Sequence, residues 1–268
     1  KSGLLRGREF SMKDLYSFHR DHADLEAYYA KVIEAYARIF TRCGLNAALT
    51  EASGGPFAKY SHEFQVPAPN GEDVIFQCSG CGYAQNKEIF EGQAGARCGK
   101  CARGEMSERK AIEVGNIFML GTRFSSAFGL TYLDEQGAAK PVEMGCYGIG
   151  PSRVLGTVVE VHHDERGMVW PAAVAPFRVH LLALGKESGV IARSDRAYAA
   201  LQTAGVEVLY DDRLAVSAGE KFAAADLIGL PLRAVVSART ADRIERRARL
   251  DAATDLVSLA QLTAEAKS

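Results

Sequence analysis

Two pairs of cysteines have the spacing of a metal site. Cys78 and Cys81 form one C-x-x-C pair, and Cys98 and Cys101 form a second pair after sixteen intervening residues. Four thiolates in this arrangement are typical of a zinc ribbon, in which the closed tetrahedral set leaves no open position for catalysis. Two disulfides, or unligated thiols, are the alternatives. Because no secretory signal opens the sequence, persistent disulfides are disfavoured and we expect structural Zn²⁺.

A glycine-rich corner is the second feature that could carry chemistry. Residues 144–153 read Met-Gly-Cys-Tyr-Gly-Ile-Gly-Pro-Ser-Arg, which predicts a strand turning into a helix that begins at Pro151. Gly148 and Gly150 have no Cβ atom to keep a ligand from the backbone. Arg153 adds a cation to a helix N-terminus that already suits anions. The pattern indicates a phosphate or nucleotide site; a tight turn beside a surface arginine is the alternative.

The composition is that of a globular protein without a global preference for nucleic acid. Of 268 residues, 47% are hydrophobic and 24% are charged, and the formal net charge is −1. The chain is long enough for two domains with separate cores, and any RNA contact must come from local patches. No apolar run approaches the roughly 20 residues of a membrane span. We therefore expect a cytoplasmic protein with no membrane contact.

The periodicity predicts an α+β half followed by an α/β half. A long helix is expected over residues 24–42, since Leu25, Tyr29 and Tyr36 recur at helical spacing. Strands of a mostly antiparallel sheet are expected at 46–51, 61–66, 73–77, 111–120, 130–133 and 141–144. Beyond a linker at 171–177, strands at 178–184, 206–210 and 232–236 alternate with helices at 192–203, 217–228 and 255–265. These patterns divide the chain into domains at 1–170 and 178–268.

A run of arginines lies in the second domain. Between Arg233 and Arg249 six arginines accompany only two acids, Asp242 and Glu245. A solvated surface and a contact with an RNA backbone are both compatible with this composition.

Several separated segments, taken in order, resemble the C-terminal part of bacterial-type prolyl-tRNA synthetases, which are class II aminoacyl-tRNA synthetases. Arg6–His19 (RGREFSMKDLYSFH) resembles the end of motif 2, and Met144–Arg153 (MGCYGIGPSR) resembles motif 3. The other matching segments are Ser61–Val66 (SHEFQV), Cys81–Glu88 (CGYAQNKE), Ala111–Leu120 (AIEVGNIFML), Val206–Arg213 (VEVLYDDR) and Gly219–Pro231 (GEKFAAADLIGLP).

The resemblance implies a partial class II catalytic core at 1–170 with a zinc-ribbon insert at about 74–108, followed by an anticodon-binding domain at 178–268. The implied reaction is the ATP-dependent ligation of L-proline to tRNA(Pro) through a prolyl-adenylate. Its first step is an in-line attack by a carboxylate on the α-phosphate, which requires positioning and charge neutralisation. The implied partners are tRNA(Pro), L-proline and ATP with its Mg²⁺, and DNA is not among them.

The resemblance also assigns roles to residues. Arg6, Arg153 and Glu113 would be the catalytic groups, with Arg6 on the ATP phosphates and Phe10 on one face of the adenine. Arg153 would close the other face of the adenine or reach the γ-phosphate. The full ATP-binding set is Arg6, Phe10, Glu113, Asn116, Gly148, Gly150 and Arg153, in which Glu113 and Asn116 would hold ribose or Mg²⁺. The proline pocket would use Met12, His62, Glu63, Phe64, Phe118 and Cys146. The anticodon site would use Asp211, Asp212, Arg213, Lys221 and Phe222, through hydrogen bonds to base edges and stacking.

The departures from the family pattern lead to further expectations. Motif 1, which builds the dimer interface, and the first strand of motif 2 are not in the sequence, so we expect an N-terminally truncated part of an enzyme that is inactive alone and dimeric when complete. Only a few residues separate Glu88 from Cys98, where many relatives carry an editing domain, so cis-editing is not expected. The alternative is a non-catalytic, synthetase-derived tRNA-binding module.

Overall fold

The computed structural model describes residues 2–267, and the chain folds into two compact units, Lys1–Val161 and His162–Ser268. The first unit combines a mostly antiparallel sheet with a long helix, and the second is a smaller mixed α/β unit. No helix in the described part of the chain has the length and apolar character needed to cross a membrane.

The first unit is organised around one seven-stranded sheet. Its strands are β1 (Lys13–His19), β2 (Ala48–Ser53), β3 (Tyr60–Pro67), β4 (Asp73–Cys78), β5 (Ala84–Asn86), β6 (Met106–Gly121) and β9 (Glu143–Ile149). They lie in the order β1-β9-β6-β3-β2-β5-β4, and only the β2–β5 pair is parallel. The central strand β6 is 16 residues long and also pairs with β4 through its first half. A small hairpin, β7 (Thr131–Leu133) and β8 (Ala139–Pro141), stands apart from this sheet.

Helix α1 (His22–Arg42) covers one face of the sheet, here called the back face. Asp21 caps its N-terminus by accepting a hydrogen bond from the Asp24 N–H at 2.9 Å. Its buried residues follow the helical period: Leu25, Tyr29, Val32, Tyr36 and Phe40. Gly115 of β6 allows α1 to pack close to the sheet, because a Cβ atom at this position would lie 3.1 Å from the Phe40 ring.

Two short helices and a 3-10 turn complete the first unit. Helix α2 (Arg123–Phe128) follows β6, and helix α3 (Pro151–Val161) follows β9 directly, as the glycine-rich corner predicts. A 3-10 turn, Gly3–Arg6, packs against α3. The strands predicted at 130–133 and 141–144 do form a hairpin, but its second strand is shifted: residues 139–141 pair with β7, whereas Glu143 already begins β9. The pattern 141–144 joined the ends of two strands that pair with different neighbours.

The second unit contains a five-stranded sheet in the order β13-β12-β14-β15-β16. Its strands are β12 (Val179–Leu184), β13 (Val208–Asp211), β14 (Leu232–Ser237), β15 (Ile244–Ala248) and β16 (Asp255–Val257), preceded by the hairpin β10 (His163–Asp164) and β11 (Gly167–Met168). Helix α4 (Ser188–Thr203) and helix α6 (Leu259–Lys267) pack on one side, and helix α5 (Ala218–Ile228) packs on the other. Ser217 and Glu220 form a capping box at the start of α5.

Two boundaries in the second unit differ from the sequence prediction. The unit begins at His162, before the predicted linker at 171–177, because Trp170 donates to the carbonyl of Ile228 at 2.9 Å and so joins α5. The final helix was predicted to start at residue 255, but residues 255–257 form β16 on the free edge of β15. Ser258 then caps α6 through hydrogen bonds with Gln261. Local helical periodicity does not reveal that a strand edge is available nearby.

Several arginines of the run between Arg233 and Arg249 form ion pairs inside the second unit, whereas the sequence suggested a solvated surface or a contact with RNA. Arg246 pairs with Glu265 of α6, and Arg249 makes a bidentate pair with Asp164 at 2.7 and 2.8 Å. Arg233 pairs with Asp226 at 3.3 Å. Half of the run therefore joins elements of the fold through internal ion pairs, and does not form one free cationic surface.

We expect Phe40→Ala to destabilise the first unit. The Phe40 side chain is 1% exposed and its ring lies 5.2 Å from the ring of Phe64, so truncation leaves a cavity in the contact between α1 and the sheet. The free energy of unfolding should fall by about 3–5 kcal/mol, as measured by urea denaturation with circular dichroism. Phe128→Ala is the matched control, because Phe128 is 80% exposed. Equal losses in the two variants would contradict the packing described for α1.

Candidate functional site

A cavity of about 690 Å³ lies on the sheet face opposite α1, here called the front face. Side chains alternate between the two faces of a strand, so every second residue of β1, β6 and β9 points into this cavity. The alternating residues that line it are Asp14, Tyr16, Asn116, Phe118, Leu120, Met144, Cys146 and Gly148, and Glu113, Val114 and Gly115 join them where the pairing of β6 with β3 shifts register. The N-terminal segment and the start of α3 complete its wall with Arg6, Phe10, Met12, Gly150 and Arg153.

One end of the cavity is polar and built around Arg153. Its Nη1 donates to Oε2 of Glu113 at 3.1 Å, and its Nε donates to the carbonyl of Leu5 at 3.2 Å. Asn116 Nδ2 donates to the other carboxylate oxygen of Glu113 at 3.1 Å. These contacts fix the guanidinium at the first turn of α3, where anions are favoured. The arrangement suits a phosphate group entering from the cavity.

Arg6 supplies a second guanidinium at this end. It forms an ion pair with Glu72, and its hydrogen bond lowers the pKa of the Glu72 carboxyl. Both side chains are substantially exposed, at 51% and 40%, so the pair can open toward a ligand at small energetic cost. Phe10 is 63% exposed at the cavity edge and has an accessible ring face.

Gly148 and Gly150 line the cavity as the sequence predicts. A Cβ on Gly148 would lie 3.2 Å from Cε of Met12, and one on Gly150 would lie 3.9 Å from Sδ of the same methionine. Neither glycine has a positive φ. Glycine at these two positions therefore leaves room for a ligand beside the backbone. The backbone conformation itself does not require glycine.

The other end of the cavity is apolar and contains residues that the sequence analysis missed. Phe57 lies 5.4 Å from the ring of Phe118 and 6.4 Å from that of Phe124. The sequence could have predicted Tyr16, because it lies two residues after Asp14 on β1 and so points to the same face of the sheet. Phe57 and Phe124 come from a loop and a short helix, and nothing local in the sequence places them here.

Three of the predicted proline-pocket residues are consecutive on β3, and they do not share a face. Glu63 lies opposite Asn116 on the front face, whereas His62 and Phe64 lie opposite Ile117 and Gly115 on the back face. His62 Nδ1 is hydrogen-bonded to the Tyr29 hydroxyl at 2.9 Å, and Phe64 is 1% exposed in the core. Strand alternation therefore directs the side chains of His62 and Phe64 toward α1 and away from the cavity.

Glu63 is the strongly perturbed acid of this site. Burial raises the pKa of its carboxyl from 4.5 to about 7, and the carboxylates of Glu113 and Asp73 add to the rise. Gln65 and Asn86 donate to its Oε2 at 2.9 and 3.1 Å and oppose the shift. A largely buried acid next to the cavity can thus change its charge near neutral pH.

The four paired cysteines come together at one end of the sheet. Their sulfur atoms all lie within 4.8 Å of one another, with 3.7 Å between Cys78 and Cys101 and 3.8 Å between Cys81 and Cys98. A tetrahedron of 2.3 Å Zn–S bonds has edges of about 3.8 Å. Backbone N–H groups of Gly80, Lys100 and Gly104 point at three of the sulfurs. All six cysteines are free, so the disulfide alternative does not apply to this structure.

The candidate anticodon residues of the second unit fall into two groups. Lys221 is 2% exposed, and its Nζ donates to the carbonyls of Ala183 and Asp211 at 2.8 and 3.0 Å. The hydrogen bond from Arg213 lowers the pKa of the buried Asp211 carboxyl to about 2. Phe222 is half-buried, and the guanidinium carbon of Arg233 lies 4.6 Å from the centroid of the Phe222 ring. Of the five residues only Asp212 and Arg213 are exposed, whereas Lys221 is engaged with backbone carbonyls inside the unit.

Comparison with known families identifies the class. Residues 1–162 match the tRNA synthetase class II core domain (G, H, P, S and T), and residues 178–268 match an anticodon binding domain. The chain therefore belongs to the class II tRNA synthetases. Its fold resembles a crystal structure of prolyl-tRNA synthetase from Cryptosporidium parvum complexed with halofuginone and AMPPNP, with a TM-score of 0.75 over 98% of this chain and 48% of the other, at 19% identity.

Within that class, the similar proteins are proline–tRNA ligases, which confirms the family resemblance. The ligase of Rhizorhabdus wittichii is 38% identical over 273 residues, covering 92% of this chain and 62% of its own length. That of Xanthobacter autotrophicus is 39% identical over 288 residues, with 96% and 64% covered. That of Acidithiobacillus ferrooxidans is 31% identical over 386 residues, with 88% and 68% covered. The chain thus spans less than two thirds of the length of the first two relatives.

We expect Glu63→Gln to stabilise the first unit more at pH 8 than at pH 5. The folded-state pKa of about 7 exceeds the ordinary 4.5, so the wild-type protein loses stability as pH rises between these values, by up to about 3 kcal/mol. The neutral amide escapes this loss. Urea unfolding at both pH values measures the effect, with the exposed Glu91→Gln as control. An equal change at the two pH values would contradict the assigned burial.

Proposed function

We propose that this chain takes part in the ATP-dependent ligation of L-proline to tRNA(Pro) through a prolyl-adenylate. The observation that carries the proposal is the front-face cavity, which joins an arginine–carboxylate end to a small apolar end along the same three strands. A nucleotide phosphate and an apolar amino acid could therefore meet within it. The names of the similar proteins support the same reaction.

The polar end would bind and orient ATP. Arg6 and Arg153 would neutralise charge on the phosphates, and both are already held at the cavity by Glu72 and Glu113. Arg153 is the more enclosed of the two, and a cation that is already fixed stabilises the charge that develops during phosphoryl transfer without reorganising. Phe10 would stack on the adenine, and the backbone at Gly148 and Gly150 would allow close approach.

Glu113 and Asn116 would hold the ribose or the Mg²⁺ that accompanies ATP. Their side chains already touch at 3.1 Å, and a single carboxylate together with substrate phosphates is a usual environment for Mg²⁺. The ion would supply further neutralisation of the phosphate charge.

The apolar end would receive the proline ring. Met12, Phe118 and Cys146 remain candidates from the original set, and Glu63 lies behind Asn116. Tyr16, Phe57 and Phe124 join the proposed pocket on the basis of the structure. The carboxylate of proline would then approach the α-phosphate from this side, and orientation would supply much of the rate enhancement.

The second unit would bind the anticodon region of tRNA(Pro). Asp212 and Arg213 are exposed at the end of β13 and can form hydrogen bonds with bases or the backbone. Asp211, Lys221 and Phe222 would act by positioning this segment. We further propose a homodimer as the working form and the cytoplasm as its location.

Editing in cis is absent from the function that we propose. The alignment with the Acidithiobacillus protein spans 386 residues, more than this entire 268-residue chain, so that relative contains inserted sequence. The alignment with the Rhizorhabdus protein spans only 273. The segment between Glu88 and Cys98 is short, and we propose that the cysteine cluster closes this position.

The alternative of a non-catalytic tRNA-binding module receives no specific support. Such a module has no use for two arginines and Glu113 arranged around a cavity of nucleotide size. The division of the chain into two units is compatible with both functions and does not distinguish them.

Amino-acid-dependent exchange of pyrophosphate into ATP tests the proposal. The assay uses the protein as the gene encodes it. Among the amino acids, proline should support exchange, and Arg153→Ala should lower kcat/KM about 100-fold or more because a fixed phosphate ligand is lost. Arg38→Ala on the exposed side of α1 is the control and should leave the rate unchanged. Exchange with another amino acid alone, or none with proline, would overturn the proposal.

We also propose that the cysteine cluster holds one structural Zn²⁺. Purified protein should contain about one zinc per chain by atomic emission, and Cys81→Ser should lose the metal and lower Tm, because ligand removal opens the tetrahedral site. Cys43→Ser is the matched control, since Cys43 stands apart from the cluster. Zinc-free wild-type protein with an unchanged Tm in the presence of a chelator would rule this out.

A further inference from the structure

The region at and behind the polar end of the front-face cavity is rich in hydrogen-bond acceptors. Three carboxylates and two side-chain amides meet there: Glu63, Asp73, Glu113, Gln65 and Asn116. Within the described part of the chain, Gln65 Oε1 and Asn116 Oδ1 are buried and have no hydrogen-bond partner. Buried acceptors without a donor are uncommon in folded proteins. Asn116 also lines the cavity, so a substrate bound there could supply the donor that its amide oxygen lacks.

Two carboxylates determine which way the Asn116 amide faces. Its Nδ2 donates to Oε1 of Glu113 at 3.1 Å and to Oε1 of Glu63 at 3.5 Å. Turning the amide over would set Oδ1 against both carboxylates, and ionised carboxylates have no proton to share with it. The nitrogen therefore stays with the carboxylates, and Oδ1 is the atom left for a ligand.

Glu63 is itself held in place from behind the cavity. Its Oε2 accepts hydrogen bonds from Gln65 Nε2 at 2.9 Å and from Asn86 Nδ2 at 3.1 Å. Gln65 is fully buried, and its Nε2 also donates to Asp73 at 2.8 Å, which ties β3 to the start of β4. Because Oε2 is occupied by these two donors, Oε1 is the oxygen that remains to face Asn116.

We propose that Glu63 is a positioning residue that holds the Asn116 amide with Oδ1 toward the substrate, a role that rests on the nucleotide binding proposed above. An amide oxygen accepts hydrogen bonds or binds a cation, and it cannot donate. The group that Asn116 recognises is therefore a ribose hydroxyl or the Mg²⁺ of the nucleotide, and it is not a phosphate oxygen.

The charge of Glu63 and its positioning role lead to opposite predictions for nucleotide affinity. Glu63→Gln removes a negative charge near a bound triphosphate, so by charge alone the variant would bind ATP more tightly. The new amide, however, keeps its oxygen toward the donors of Gln65 and Asn86, and its nitrogen then faces Nδ2 of Asn116. Two donors oppose each other, and the Asn116 amide loses its fixed orientation. Positioning therefore predicts weaker binding.

Isothermal titration calorimetry with ATP and Mg²⁺ at pH 8 measures this affinity, on the protein as the gene encodes it. The Kd for ATP should rise about 10-fold in Glu63→Gln. Glu51→Gln is the matched control, because Glu51 lies on the neighbouring strand β2 and also accepts from two side chains, those of Tyr83 and Gln85. This control should leave the Kd unchanged. An unchanged or lower Kd in Glu63→Gln would overturn the proposal.

A double-mutant cycle shows whether Glu63 acts through Asn116. Asn116→Ala removes the amide, so adding Glu63→Gln to that variant should not weaken ATP binding further. The Tm of all four proteins, measured in parallel, shows that each is folded. The same loss of affinity on Glu63→Gln in both backgrounds would mean that Glu63 does not act through Asn116, and would contradict the proposal.

Nucleotide analogues identify the group that Asn116 binds. If the group is a ribose hydroxyl, either 2′-deoxy-ATP or 3′-deoxy-ATP should bind more weakly than ATP to wild type, and Glu63→Gln should lose this discrimination. If the group is Mg²⁺, Glu63→Gln should need more Mg²⁺ for half-maximal ATP binding. A variant that resembles wild type in both respects would overturn the assignment. Because these are binding measurements, they are independent of proline-dependent exchange, whose failure would overturn only the proposed reaction.

A crystal structure of the wild-type protein with a non-hydrolysable ATP analogue and Mg²⁺ gives an answer that needs no variant. A ribose hydroxyl or Mg²⁺ in direct contact with Asn116 Oδ1 is the expected result. A water molecule as the only partner of this oxygen, with the nucleotide bound, would overturn the proposal.

Discussion

The two-residue period of strands β1, β6 and β9 is the constraint on which the first unit depends. One set of alternate side chains must pack against α1, and the other set must then face the cavity. Tyr147 and Ile117 are fully buried on the back face, while their neighbours Cys146 and Asn116 line the front. Packing on one face therefore fixes the position of the candidate site on the other. A shift of one residue in any of these strands would exchange the two sets.

At the polar end of the cavity, the same sheet and the helix that follows it position charged side chains. Arg153 sits at the start of α3 and Glu113 at a bulge region of β6, and their ion pair joins the helix to the sheet. Because Arg153 already has a carboxylate partner, this cation is held in place before a ligand arrives. This arrangement combines a stabilising role with readiness for an anionic substrate. Glu63 shows the opposite consequence of burial, since its charged form is disfavoured near neutral pH.

The second unit uses buried charge mainly for its own assembly. Lys221, Asp211 and Arg249 would each pass for a nucleic-acid contact in the sequence, yet all are less than a tenth exposed. Their partners are backbone carbonyls and ion-paired side chains within the same unit. The arginine run and the lysine of this unit therefore do not by themselves mark a tRNA-binding surface.

The sequence by itself determined the α+β and α/β succession, the long helix, the turn from strand to helix at Pro151 and the clustering of four cysteines. All of these depend on local spacing, turn chemistry or motif order, which are properties of the chain. It also located Arg153, Glu113, Asn116 and the two glycines of the cavity through family motifs. The tertiary structure decided which face each strand residue occupies, and so removed His62 and Phe64 from the pocket and added Phe57 and Phe124. It also decided which charges are buried, because the partners of Lys221 and Arg249 lie far away in sequence and no local pattern encodes them.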